Sequence, residues 1–121
     1  MPANKEILEI YEYALDKYGE FAKALEKTDA ILKKCTVEEI PAPRLTGEKL
    51  REALIFAGKL FEEDTRANVY IALVDLGRNQ VLTVCKLNKG KLLIASYARE
   101  GLIKQHLAEK AIKAIKDRVV V

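Results

Sequence analysis

Tryptophan is absent from this 121-residue chain; histidine and serine occur once each, as His106 and Ser96, and cysteine and glutamine twice, as Cys35, Cys85, Gln80 and Gln105. Each shortage narrows the chemistry available. A nucleophile–base pair would have to join Ser96, or a cysteine, to His106, and nothing in the spacing brings them together. Neither cysteine has a CxxC partner, which argues against a redox motif or a zinc site. Two buried, inert thiols are expected, with a disulfide as the alternative. Scarce thermolabile residues beside many Lys and Glu are a habit of hyperthermophile proteins, whose intracellular disulfides make that alternative worth stating. The six glycines are scattered, so no loop can cradle a phosphate. No apolar run is long enough to span a bilayer. The start, Met1-Pro2-Ala3-Asn4-Lys5-Glu6, lacks the apolar stretch of a signal peptide. The expectation is a cytoplasmic, non-enzymatic protein with no membrane partner, cofactor or metal.

What the chain does have, first, is a heptad. Ile7, Tyr11, Ala14, Tyr18, Phe21, Leu25, Thr28, Leu32 and Cys35 alternate steps of four and three, which keeps one stripe on one side of a helix. Asn4 is a candidate N-cap, with Glu6 in the first turn. The phase runs through Gly19 unchanged. The charges grade along the same stretch, from Glu6, Glu9, Glu12, Asp16 and Glu20 to Lys23, Lys27, Lys33 and Lys34, as suits the dipole of a single helix. Continuity through Gly19 is therefore expected, although a glycine there leaves a bend open. About 30 residues of helix would be about 45 Å long, against a radius of gyration of about 14 Å for a compact domain of this size. Such a helix should project, brace a partner, or break. Leu8, Ile10, Leu15 and Ile31 widen the stripe into a face fit for neighbours on two sides. That face either packs on its own domain or pairs antiparallel with a second copy, acidic end to basic end.

The remainder divides at a proline-containing segment. Residues 1–35 form the helical segment. Residues 36–45, with Thr36–Glu39 matching a capping box but Pro41 and Pro43 following at once, form an extended linker. Residues 46–121 form an α-β-β-β-α body. Thr46 caps its first helix, whose stripe Leu50, Ala53, Leu54, Ala57, Leu60 and Phe61 predicts an end near Asp64. Three strands follow, at 68–76, 80–87 and 91–98. The first is apolar on both faces, so both should be covered. Asn88-Lys89-Gly90 predicts a hairpin with a type I turn and a left-handed Gly, and the meander should be antiparallel. Gly101 opens the last helix, with Ile103, Leu107, Ala111, Ala114 and Ile115 inward. The fold class is α+β: a long N-terminal helix, then a helix, a three-stranded antiparallel meander and a C-terminal helix.

From Thr46 onward this order resembles the double-stranded-RNA-binding domain and the Alu-domain proteins of the signal recognition particle. In place of the former's Gly-Pro-x-His turn and Ser-Lys-Lys helix start, this chain has Gly77-Arg78-Asn79 and Gly101-Leu102-Ile103-Lys104. The order also resembles the latter half of roadblock and longin domains, which work as dimerising platforms and carry a further hairpin. These likenesses concern the order of elements, not residues.

Three further features bear on function. Residues 1–76 have a balance of −4 (11 Lys and Arg against 15 Asp and Glu), and residues 77–121 one of +7 (10 against 3). The basic half could meet RNA, an acidic protein, or the acidic half of a second copy. Glu62-Glu63-Asp64 is either a solvated helix end or a hard-cation ligand set. The junction 95–101, with Ser96, Arg99 and Lys104, is either a strand-to-helix joint or an anion site at a helix start. Two functions are carried forward. One is self-association through Ile7, Tyr11, Tyr18, Phe21, Leu25 and Leu32. The other is RNA binding through Lys86, Lys89, Lys91, Arg99, Lys104, Lys110, Lys113 and Lys116.

Overall fold

The computed structural model describes residues 2–22, 27–99 and 105–119. In chain order these form α1 (Pro2–Tyr18), a 3-10 turn (Gly19–Ala22), α2 (Thr28–Lys34), β1 (Thr36–Pro41), α3 (Gly47–Ala57), β2 (Gly58–Asp64), β3 (Val69–Asp75), β4 (Gln80–Asn88), β5 (Lys91–Tyr97) and α4 (Leu107–Val119). The strands make one antiparallel sheet in the order β1-β5-β4-β3-β2. The class is α+β, as the pattern predicts, with two more strands than the expected meander. No described helix is long and apolar enough to cross a membrane.

Both faces of the sheet are covered, because its central strands are predominantly apolar on both faces. Tyr70, Ala72 and Val74 of β3, Val81 and Cys85 of β4, and Leu92 and Ile94 of β5 pack under α3 and α4 with Leu50, Leu54, Ala111, Ile112 and Ile115. The alternate residues Ile71, Leu82, Val84, Leu93 and Ala95 pack under α1 and α2 with Ile7, Tyr11, Ala14 and Ile31. Period-two alternation thus feeds two cores from one sheet. It also separates the thiols. Cys85 is buried in the first core and Cys35 packs against the second, so the sheet lies between them and both are free. Burial pushes the Cys35 thiol up to about 12 and Cys85 higher still, which keeps both as inert thiols at neutral pH.

Several boundaries differ from the sequence reading. The N-terminal helix breaks: α1 ends at Tyr18 and a 3-10 turn begins at Gly19. At 17 residues α1 is about 26 Å long, close to the breadth of a five-stranded sheet, so it lies across the domain instead of leaving it. The stripe then resets, since in α2 the fully buried residue is Ile31, not Leu32. Asn4 lies inside α1, which starts at Pro2. The segment 36–45 contributes edge strand β1, paired along its length with β5. Pro41 ends that strand, where a missing N–H costs nothing. The helix capped by Thr46, whose hydroxyl accepts from the Lys49 N–H at 3.2 Å, stops at Ala57. Residues 58–64 are strand β2, not its last turns. The hairpin Lys89-Gly90 has positive φ at both residues (41° and 82°), the type I′ arrangement instead of type I. Gly101, Ile103 and the start expected for the last helix lie outside the described residues.

Candidate interaction surface

The unusual local geometry lies where β2 meets the end of α1. Leu60 pairs with Ala72 and Glu62 with Ile71, leaving Phe61 as an extra residue in a bulge. A bulge turns two successive side chains toward one face, and here both reach α1. The Phe61 ring stacks on Tyr18 (centroids 4.7 Å apart, 7° between planes) and meets Phe21 at 5.1 Å. Glu62 Oε1 accepts from the hydroxyls of Tyr18 (2.8 Å) and Tyr13 (3.0 Å) and from Lys17 Nζ (3.1 Å). Lys17 Nζ also donates to the Tyr13 hydroxyl at 3.2 Å. The result is an aromatic patch with a buttressed carboxylate. Phe21 remains 56% exposed and Tyr13 46% exposed. Such rings combine a large apolar payload with few rotors, which suits a contact surface.

The electrostatics of the patch follow from those contacts. Burial alone would raise the Glu62 carboxyl, but the donors Tyr18, Lys17 and Tyr13 together hold it below the usual range. Tyr18 is raised, first by its hydrogen bond to Glu62. A depressed folded-state carboxyl contributes stability above its unfolded value, near pH 4.3, and that contribution is lost as pH falls through the folded value. Acid titration below about pH 4 should therefore loosen the α1–β2 contact, read as tyrosine fluorescence. In Glu62→Gln that step should be missing.

Two other surfaces stand out. The outer side of α1 is acidic, with Glu6, Glu9, Glu12, Asp16 and Glu20 exposed; of these Glu6 pairs with Lys86. On the far side of the sheet, a groove of about 590 Å³ runs between α3 and the end of α4. It is lined by Arg44, Leu45, Lys49, Glu52, Ala53, Phe56, Arg118 and Val119. The Arg118 guanidinium carbon lies 3.0 Å from the centre of the Phe56 ring, which is 68% exposed.

The structure divides the residues expected at a self-association surface. Ile7 and Tyr11 are fully buried against the chain's own sheet. Leu32 is half-buried against the same core. Tyr18 and Phe21 join the aromatic patch, and Leu25 lies outside the described residues. The basic set is divided too. Lys86 and Lys91 sit on the α1 side of the sheet, paired with Glu6 and Glu39. Lys110, Lys113 and Lys116 belong to α4 on the other side, where Lys113 pairs with Asp117 and Lys116 with Glu38. Lys89 is at the hairpin tip and Arg99 is exposed beyond β5; Lys104 lies outside the described residues.

The other candidates resolve into structural contacts. Ser96 is fully buried, its hydroxyl 2.9 Å from that of Thr83, while His106 is exposed at the start of α4 and 3.6 Å from Glu109. The acidic run splits three ways. Glu62 turns to Lys17 and Glu63 to Arg51, while Asp64 accepts from the N–H groups of Arg66 and Ala67 in the turn. Among the described residues no three His, Cys, Asp or Glu side chains converge as a metal site. Phe61 and Glu62, which reasoning from sequence placed on a helix, are the residues it missed. Their signal was Gly58, which separates a helix from a strand. No protein-family model matches this chain, and no significant similarity links it to a curated protein or a solved structure.

Proposed function

We propose that this chain is a non-enzymatic interaction module that self-associates through the outer side of its N-terminal helical segment. The supporting observation is the aromatic patch at the end of α1. Phe21 and Tyr13 stand about half exposed beside Phe61 and Tyr18, and among the described residues nothing further covers them. Exposed rings clustered in one place are the usual anchor of a protein contact. Antiparallel pairing of whole N-terminal helices loses its basis. The charge gradient that favoured it straddles the break at Gly19, and α1 by itself is acid-rich along its outer side.

Replacing Phe21 with glutamate should raise the dissociation constant of the assembly by about tenfold to a hundredfold, the loss of roughly 1.4–2.8 kcal/mol typical of one central anchor. The body should stay folded, because Phe21 contributes to neither core. Unchanged native mass in Phe21→Glu would remove the reading. RNA binding through the basic hairpin and α4 is the second reading. It has weaker support, since its cations lie on two sides of the sheet and half of them are engaged with acids.

A further inference from the structure

Part of the charge on this molecule is settled internally. Lys17, Arg51, Lys86, Lys91, Lys113 and Lys116 each pair with a carboxylate of the same chain. Of the charges outside that set, two groups each gather around an exposed ring. Among the described residues, Glu9, Glu12 and Asp16 have no cation partner, and their spacing of three and four residues places them in a row on the outer side of α1. Arg44, Lys49 and Arg118 likewise have no acid partner among the described residues, and all three line the α3–α4 groove. Each group surrounds an exposed ring: Tyr13, 46% exposed, in the acidic row, and Phe56, 68% exposed, in the basic groove. The groove holds one acid, Glu52, against three cations. Because α1 packs on one side of the sheet and α3 and α4 on the other, the two surfaces face away from each other and cannot meet within one chain.

We infer that they meet between copies: the acidic row of α1 on one chain docks against the α3–α4 groove of the next. This rests on the self-association proposed above and adds the surface that receives it. A groove of about 590 Å³ has room for a ring and its neighbouring side chains, not for a whole helix. It would take Tyr13, with Glu9, Glu12 and Asp16 reaching Arg44, Lys49 and Arg118 along its rim. The rings supply desolvated area, and the charges supply register and steering. A second copy is the fitting occupant because the same chain carries both halves of the complement. The contact joins two different surfaces, so it is heterologous. It propagates head to tail into a ring or an open chain instead of closing as a two-fold pair.

The test compares native mass by light scattering across protein concentration, at low and high salt, for the full chain and two variants. One variant carries Glu9→Arg and Glu12→Arg; the other carries Arg44→Glu and Lys49→Glu. The unaltered chain should grow past a dimer at low salt and shrink at high salt. Each variant alone should need roughly tenfold more protein, or greater, to assemble. Mixing the two should restore growth, because each then offers the other a matched pair of surfaces. All four positions are exposed; if either variant fails to fold by circular dichroism, the Gln substitutions at the same positions carry the test with a smaller shift. A groove variant that assembles like the unaltered chain overturns the docking and leaves self-association through α1 standing. A discrete dimer that never grows also overturns the head-to-tail arrangement. A monomer at every concentration overturns both this inference and the reading beneath it.

Discussion

Tyr11→Ala is expected to lose about 3–5 kcal/mol of folding stability. The ring is fully buried between α1 and the sheet, so its removal leaves a cavity in the second core. The hydroxyl also holds the last pair of the β4–β5 ladder, Leu82 and Tyr97. It donates to the Leu82 carbonyl at 2.6 Å and accepts from the Tyr97 N–H at 2.9 Å. Tyr11→Phe keeps the ring but leaves those two backbone groups without their partner, for an expected loss of about 1–3 kcal/mol. Urea unfolding with an unchanged slope would measure both losses. The pair of variants also separates two roles for this residue. A tyrosine that contacts a second copy would change native mass and leave monomer stability alone. A tyrosine that anchors α1 to its own sheet does the reverse, and the latter is the expected result.

Among Gly47, Gly58, Gly77 and Gly90, Gly58→Ala should be the most damaging substitution, at about 3 kcal/mol, the upper end for overpacking. Its φ of 175° is ordinary extended backbone, so conformational strain is not the reason. Space is. A Cβ at this position would overlap the Leu73 carbonyl oxygen of β3, and the Asp75 nitrogen lies 3.0 Å away. Backbone against backbone leaves no flexible side chain to give way. Gly77→Ala makes the useful contrast, since nothing lies within 4 Å of a Cβ there and only its φ of +89° opposes a side chain. About 1–2 kcal/mol is expected for that alone. Thermal unfolding of the two variants should rank them in this order. Gly58→Ala should also blur the aromatic patch, because β2 carries Phe61 and Glu62. Equal losses at the two glycines would mean that β2 does not pair as closely with β3 as described.

What could be read from the residues was local. Thr46 as a cap, the meander from Val69 to Tyr97, the apolar strands covered on both faces and the inward Leu107, Ala111 and Ile115 of α4 all follow from short-range pattern, and the structure has them. Ile112, also buried in α4, is not among the expected residues, and Ile103 lies outside the described residues. The failures share a cause. A heptad reports phase, not continuity, so it could pass through Gly19 while the helix ended one residue earlier. Leu60 and Phe61 continue the stripe of Ala53 and Ala57 at helical spacing, yet they stand in a strand because the chain turns at Gly58. Pro41 and Pro43 argued for a linker, although an edge strand can end at a proline without losing a needed hydrogen bond. The two extra strands stand at opposite edges of the sheet, so they do not supply the further hairpin of roadblock and longin domains. Nor does the four-stranded run between α3 and α4 match the three strands of the RNA-binding order. The patch itself joins residues more than 40 positions apart, Tyr13 and Tyr18 with Glu62, and no periodicity reaches that far. The exposed rings Tyr13 and Phe21, which join neither core, mark where the patch lies.

The most direct test of self-association through the N-terminal segment is native mass by light scattering at low salt, for the full chain and for Phe21→Glu across the same range of concentrations. A mass rising above the 13.6 kDa of one chain, and restored to that value by the single substitution with the circular dichroism unchanged, is the predicted result. A chain that stays at 13.6 kDa at every concentration, or a variant that assembles as the parent does, would contradict it.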